Sequence, residues 1–337
     1  GGVIGGGWLA RFLLNGWDIN VFDPDPEAER KIGDVLKNAR HALPMLYETA
    51  LPEEGQLTFC TTIQEAVTTA NWIQESVPER LDIKHKVFAE IQTHCRPDAV
   101  IGSSTSGFKP SELQQNAQRP EQIMVTHPFN PVYLLPLIEV VPSDQTGAQH
   151  VEKAKETLTS VGLYPLHVRK EIDAHIADRF LEAVWREGLW LVNDGIATTQ
   201  EIDDAIRYGF GLRWAQMGMF ETYRLAGGEQ GMRHFIAQFG PCLKWPWTKL
   251  MDVPELTDEL IDRILAHIDN KTTDLGSEVW REPAANYLTK ERFDAELALI
   301  RRSPVPFCPS AMLLENGSYV ARTAAGTPIV AVRGEDG

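Results

Sequence analysis

The sequence predicts an α/β protein in which a doubly wound parallel sheet is followed by an all-α domain. Three observations carry this expectation. Up to about residue 168, short apolar runs alternate with helical stretches, the pattern of a parallel sheet covered by helices on its faces. From Ala174 to Arg302 apolar residues recur at helical spacing, as in Ile176, Phe180, Val184 and Leu191, and strand-like runs vanish. The third is the chain's opening, where glycines head an apolar helix that leads directly into a strand.

In chain order, a helix is expected over 4–15, a strand over 18–22 and a long helix over 26–49. Strands follow over 56–60 and 72–75, then a helix over 79–94 and strands over 100–103 and 123–127. A helix over 147–161 and a strand over 163–168 close the first domain, 1–170. The helical domain is 171–302. Residues 303–337 are an unassigned tail with strand character over 318–322 and 327–333.

Composition removes several classes of function. Acidic residues outnumber basic ones 47 to 32, and a net charge of -15 repels polyanions, so nucleic acid is not an expected partner. Cys60, Cys95, Cys242 and Cys308 are scattered, with no C-x-x-C pair, which predicts free thiols, no metal site and a reducing cytoplasm. No run approaches the 18 or so apolar residues that span a bilayer, and no signal peptide opens the chain, so no membrane partner is expected.

Gly2, Gly5 and Gly7 sit at the head of the first helix, and Asp23 lies 21 residues after Gly2, at the end of the next strand. In a Rossmann-type fold such glycines allow a tight turn and close backbone approach, so that helix N-terminal amides meet a pyrophosphate. An acid about 20 positions on accepts hydrogen bonds from the adenosine ribose and disfavours a 2′-phosphate, making NAD the expected cofactor. If Gly2 is the second glycine of G-x-G-x-x-G, the first glycine and an opening strand precede residue 1. The bland alternative is a flexible glycine-rich terminus.

Two more segments stand at predicted strand ends, where open α/β sheets place their ligands. Ile101-Gly102-Ser103-Ser104-Thr105-Ser106-Gly107 is rich in small hydroxyl residues, although an ordinary helix cap before Pro110 reads the same way. His127-Pro128-Phe129-Asn130-Pro131 is followed by Glu139, twelve residues after the histidine, inside the apolar run Leu137-Ile138-Glu139-Val140-Val141. A carboxylate in such a run is costly without a partner, and the histidine is the obvious one. An imidazole oriented by a carboxylate is a competent general base for an alcohol proton. Separate structural roles for the two residues are the alternative.

Taken together, Ser104-Thr105-Ser106, His127-Pro128-Phe129-Asn130-Pro131 and Leu137-Ile138-Glu139-Val140 resemble the catalytic segments of the 3-hydroxyacyl-CoA dehydrogenase superfamily, in order over about residues 1 to 300. The resemblance implies NAD-dependent oxidation of a 3-hydroxy substrate, with His127 as base, Glu139 as its orienting partner and Ser106 as a donor to the substrate oxygen. It places cofactor contacts on Glu79 and Lys84, which keep the family's spacing of five, and on Asn130. It also implies a homodimer formed through the helical domain, with which the stripes Ile176 to Leu191 and Leu260, Ile261, Ile264, Leu265 and Ile268 are compatible, as they equally are with a monomer's core. One departure stands out: the family's usual asparagine before an arginine is Asp178, before Arg179. An aspartate there has no amide hydrogen to donate.

Within the superfamily, Ser103-Ser104-Thr105-Ser106-Gly107, Pro165-Leu166-His167-Val168-Arg169-Lys170-Glu171 and Asn193-Asp194-Gly195-Ile196-Ala197-Thr198-Thr199 are typical of members acting on L-carnitine. Its quaternary ammonium has no hydrogen to donate and is recognised by aromatic faces and negative charge. Of the nine tryptophans, Trp185, Trp190, Trp214, Trp245, Trp247 and Trp280 fall in the helical domain, where packing explains most of them. Trp214 is the candidate for the cation, Asp178 for its countercharge and Arg213 for a bidentate clamp on the substrate carboxylate. A salt bridge of Asp178 to Arg179 and a solvated Arg213 are the bland readings. Superfamily members using coenzyme A carry a lysine-rich helical insertion after the second strand, whereas residues 24–57 here hold four basic against seven acidic residues, so the resemblance disfavours coenzyme A. The alternatives are a 3-hydroxyacyl-CoA or gulonate-like substrate, and a non-catalytic NAD-binding protein.

Overall fold

The computed structural model describes residues 2–47, 50–227, 231–241, 246–250, 255 and 257–260, and the backbone of 319–324 and 327–332. Cys242, Trp245, Ile261, Ile264, Leu265, Ile268, Trp280 and Cys308 lie outside them. The chain divides into two compact units, the second running from Ala177 to Trp280.

In the first unit, helix α1 (Val3–Leu13) is apolar but for Arg11 and is buried from Gly6 to Leu13. Trp8 and Phe12 pack with Val100, Met124, Ile138 and Val140 of the sheet, while Leu9 and Leu13 face Ile32, Val35 and Leu36. Those three residues, with Ala39, form the buried stripe of α2 (Ala28–Ala42), whose polar face pairs Arg30 with Glu27 and Asp34. The expected helix over 26–49 is shorter than that, because Pro44 has no amide to continue the α ladder and the chain tightens into a 3-10 turn, Leu43–Leu46.

Strands β1 (Ile19–Val21) and β2 (Leu57–Phe59) form a parallel pair. A five-stranded sheet follows, in the order β3 (Trp72–Glu75), β4 (Val100–Ser103), β5 (Ile123–Pro128), β6 (Leu137–Val141) and β7 (Tyr164–His167). Among the described residues no ladder joins the two sheets, and α1 packs beside both through Ile19 and Trp72. Helices α3 (Ile63–Val67), α4 (Leu81–His94), α5 (Pro110–Leu113) and α6 (Ala148–Ser160) connect the strands. The short α3 and α5 carry too few turns to register as periodicity.

The doubly wound parallel sheet expected from the sequence is present, with one strand more than expected. Leu137–Val141 is itself a strand, and it runs antiparallel to β5 while every other neighbouring pair in the sheet is parallel. The stretch between the two strands is too short for a helical crossover, so the chain returns as a wide hairpin. Both β4 and β5 are buried along their full length, which is why they open on the unbroken apolar runs Val100-Ile101 and Ile123-Met124-Val125 rather than alternating.

The second unit is helical in its described part: α7 (Ala177–Asn193), α8 (Thr199–Ala205), α9 (Gly211–Ala226) and α10 (Gly231–Phe239). Thr198 and Glu201 form a reciprocal capping box that starts α8. Gly218 takes φ 73° and bends α9, and Tyr223 stacks on Phe235 of α10 with ring centroids 4.8 Å apart. Near the end of the chain, β8 (Tyr319–Ala324) and β9 (Thr327–Val332) pair as an antiparallel hairpin where strand character is expected.

Candidate active site

His127 and Glu139 are direct partners in the antiparallel register of β5 and β6, so the hairpin brings their side chains together on one face. His127 Nδ1 and Glu139 Oε2 are 2.9 Å apart, with the carboxylate 0% and the histidine 5% exposed. A carboxylate facing Nδ1 favours the tautomer with the hydrogen on Nδ1, which leaves the lone pair on Nε2. Oε1 of Glu139 accepts from the amide of Ile176 at 2.8 Å. Just before Ile176, Ala174 and His175 take φ of 59° and 50°, turning the chain over the dyad. The buried His175 ring lies 5.5 Å from that of His127 and the Phe129 ring 4.9 Å, so the imidazole is held from two further sides. Neither the Ile176 amide nor His175 is signalled by spacing or periodicity. Asn130 follows in the same segment, joined to Pro131 by a cis bond.

The adjacent ends of β3 and β4 form a polar cluster. Ser104 is its hub: its Oγ accepts from Trp8 Nε1 at 3.1 Å and Gln74 Nε2 at 2.9 Å and lies 2.8 Å from Ser76 Oγ. Glu79 accepts from the Thr105 hydroxyl, from the Gly107 amide at 3.2 Å and from Lys84 Nζ at 3.2 Å. Burial pushes the Glu79 carboxyl up, but the Thr105 hydroxyl, the Lys84 ammonium and the Gly107 amide outweigh it and hold it below the usual carboxylate range. Lys84 is 1% exposed, its ammonium shared between Glu79 and the buried Glu75. Ser106, by contrast, is exposed on the loop beyond β4, and the hydroxyl contacts of that loop run through Ser104 and Thr105.

The residues around α1 fit a dinucleotide. Gly2 caps the helix without a side-chain acceptor, so the first-turn amides keep their hydrogens for an anion, and no acid in that turn opposes it. A Cβ at Gly2 would meet nothing, whereas one at Gly5 would come 3.6 Å from Ser76 Cβ and one at Gly7 3.0 Å from Val132 Cβ. Gly2 and Gly5 thus leave room at the helix mouth, and Gly7 allows the close helix contact. Asp23 stands two residues past β1, turned by a hydrogen bond from the Asp25 amide, 2.8 Å, to its Oδ1. Beside the helix N-terminus lies a pocket lined by Ile4, Ser76, Val77, Glu79, Lys84 and Ser104.

In the second unit, Asp178 is half-buried in the first turn of α7. On α9, Arg213 is exposed and Trp214 is half-buried with its ring 4.7 Å from that of Phe210. Trp190 already carries a cation of the chain's own, the Lys249 ammonium 4.3 Å from its ring centroid.

Comparison with known proteins agrees with this architecture. Residues 1–172 match the family described as 3-hydroxyacyl-CoA dehydrogenase, NAD binding domain, and 175–259 match its C-terminal domain. A protein of Ruegeria pomeroyi named L-carnitine dehydrogenase/betainyl-CoA thioesterase is 72% identical over 269 residues, 80% of this chain and 55% of that protein. The L-carnitine dehydrogenase of Mesorhizobium japonicum is 61% identical over 80% of this chain and 75% of its own length, and that of a Pseudomonas species 50% over 89% and 90%. The chain spans about half the length of the Ruegeria relative. Among solved structures, an NAD+-dependent dismutase, 5-formyl-3-hydroxy-2-methylpyridine 4-carboxylic acid 5-dehydrogenase, superposes with a TM-score of 0.66 at 25% identity, covering 89% of this chain and 93% of that one. With two family domains matched in succession and relatives at 50–61% identity over three quarters or more of their length, the chain belongs to the 3-hydroxyacyl-CoA dehydrogenase family and carries its NAD-binding domain.

Proposed function

We propose that this protein oxidises L-carnitine to 3-dehydrocarnitine with NAD, using His127 as the general base. The observation that carries the chemistry is the buried Glu139–His127 pair, whose 2.9 Å contact at Nδ1 directs the Nε2 lone pair to the substrate hydroxyl. Glu139, fixed by the Ile176 amide, sets the ring plane and stabilises the imidazolium formed when Nε2 takes the proton. When bound, NAD supplies hydride acceptance from C3. Gly2, Gly5, Gly7 and Asp23 would hold its pyrophosphate and ribose, with Glu79, Lys84 and Asn130 toward the nicotinamide half and Ser106 donating to the substrate oxygen. The choice of L-carnitine rests on the names of the relatives and on residues suited to its two charges: Asp178 and Trp214 for the trimethylammonium group and Arg213 for the carboxylate.

We further read residues 1–170 as the cofactor domain, 171–302 as the substrate and dimerisation domain and 303–337 as a tail, in a cytoplasmic homodimer. The dimer is supported by Phe180, Leu181, Val184 and Trp185, which stand exposed along α7. Among the described residues no helix is long and apolar enough to cross a membrane. The function is tested by following NADH formation with L-carnitine, 3-hydroxybutyryl-CoA and L-gulonate in parallel. Turnover with L-carnitine alone is expected; turnover with either other substrate instead, or with none, overturns the reading.

A further inference from the structure

Glu75 is the last residue of β3 and is buried, yet nothing in the proposed reaction uses it. Its carboxylate is fully engaged: Oε1 accepts from the Val77 amide at 2.7 Å and Lys84 Nζ at 3.0 Å, and Oε2 from Ser103 Oγ at 2.5 Å and Lys84 Nζ at 3.1 Å. Four contacts from β4, α4 and the chain after β3 meet on one side chain. Desolvating such a pair costs more than an apolar pair of the same size, so its presence is weak evidence for a role in stability alone.

The arrangement around it is asymmetric. Lys84 and Glu79 line the pocket beside the N-terminus of α1, together with Ile4, Ser76, Val77 and Ser104, and Glu75 does not. The Lys84 ammonium bridges the two acids, 3.0 Å from Glu75 and 3.2 Å from the half-exposed Glu79. Glu79 in turn receives the Thr105 hydroxyl and the Gly107 amide, so it ties the loop after β4 to the same ammonium. Whatever Lys84 and Glu79 present to the pocket therefore depends on an anchor one shell behind them.

We propose that Glu75 is a positioning residue for the dinucleotide: it holds the Lys84 ammonium against the pocket wall, and through it Glu79 and the Thr105–Gly107 loop. The proposal rests on the reading of the first unit as the site of NAD. Losing Glu75 frees a buried ammonium to move toward Glu79, closing the pocket rather than touching the proton transfer at His127. The signature is a raised KM for NAD with kcat at saturating NAD changed far less.

A double-mutant cycle on the full chain, with NADH affinity read by fluorescence, tests it. Glu75→Gln is expected to weaken NADH binding about tenfold, and Lys84→Met to weaken it as well. Because Glu75 acts through Lys84, adding Glu75→Gln to Lys84→Met is expected to weaken binding no further. Wild-type affinity in Glu75→Gln overturns the proposal, and so does an equal loss in both backgrounds. Should Glu75→Gln fail to fold, Ser103→Ala removes one of the anchor's contacts alone; weaker NADH binding at a near-native Tm supports the proposal and unchanged binding overturns it. NADH binding without L-carnitine turnover in the wild type removes the substrate assignment and leaves this inference standing. A wild type that binds no NADH removes both.

Discussion

Among the described residues, two carboxylates are buried, Glu139 in the middle of β6 and Glu75 at the end of β3, and they are built alike. Each accepts one backbone amide, from Ile176 or Val77, and one nitrogen-bearing side chain, His127 or Lys84. They differ in that partner. An imidazole gains and loses a proton near neutral pH, whereas an ammonium is a standing charge. Under the proposed function the same device would serve proton transfer at one strand and fixed geometry at another, and the two sites should then fail in different ways when broken.

The largest break is at the imidazole. His127→Ala is expected to lower kcat with L-carnitine by about 10² to 10⁴ while NADH affinity stays near that of the wild type, as measured by steady-state rates and fluorescence titration. Glu139→Gln comes next: the amide no longer fixes the ring, and a loss of about 10² in kcat is expected from misorientation, again with little change in NADH binding. Glu75→Gln shows the converse split, cofactor affinity before rate.

Outside both carboxylate sites, Asp178→Asn is expected to raise the KM for L-carnitine about fivefold, the worth of roughly 1 kcal/mol of cation recognition. An unchanged KM there removes Asp178 from the substrate site. The smallest effect is on pH. The Glu79 carboxyl is held below the usual range, so its contribution to stability is fully present above the ordinary glutamate value and is lost as pH falls through the depressed one. The Tm difference between wild type and Glu79→Gln should therefore stay constant from neutral pH down to about 5 and shrink only on further acidification.

Glu139 was legible in the sequence because a carboxylate inside Leu137-Ile138-Glu139-Val140-Val141 is conspicuous, and a histidine at a strand end twelve residues earlier is an evident partner. Their direct pairing was not, since spacing alone does not tell an antiparallel return from a parallel crossover. Glu75 was hidden for the opposite reason. It ends a short mixed strand, Trp72-Ile73-Gln74-Glu75, where an acid looks like an ordinary solvated strand end, and only the fold brings Lys84 and Ser103 to it. Likewise, the hydroxyl cluster at 103–106 was visible as a group, but which hydroxyl bonds inward depends on the loop's path: Ser103, Ser104 and Thr105 do, and Ser106 is exposed. Small shifts of one residue along a loop leave composition and periodicity unchanged.

The most direct test of the account is the initial rate of NADH formation from L-carnitine and NAD by the wild type and His127→Ala, with NADH binding measured on the same samples. The account predicts turnover by the wild type and a rate at least about 10²-fold lower in the variant at near-equal NADH affinity. A His127→Ala protein that oxidises L-carnitine at the wild-type rate contradicts it.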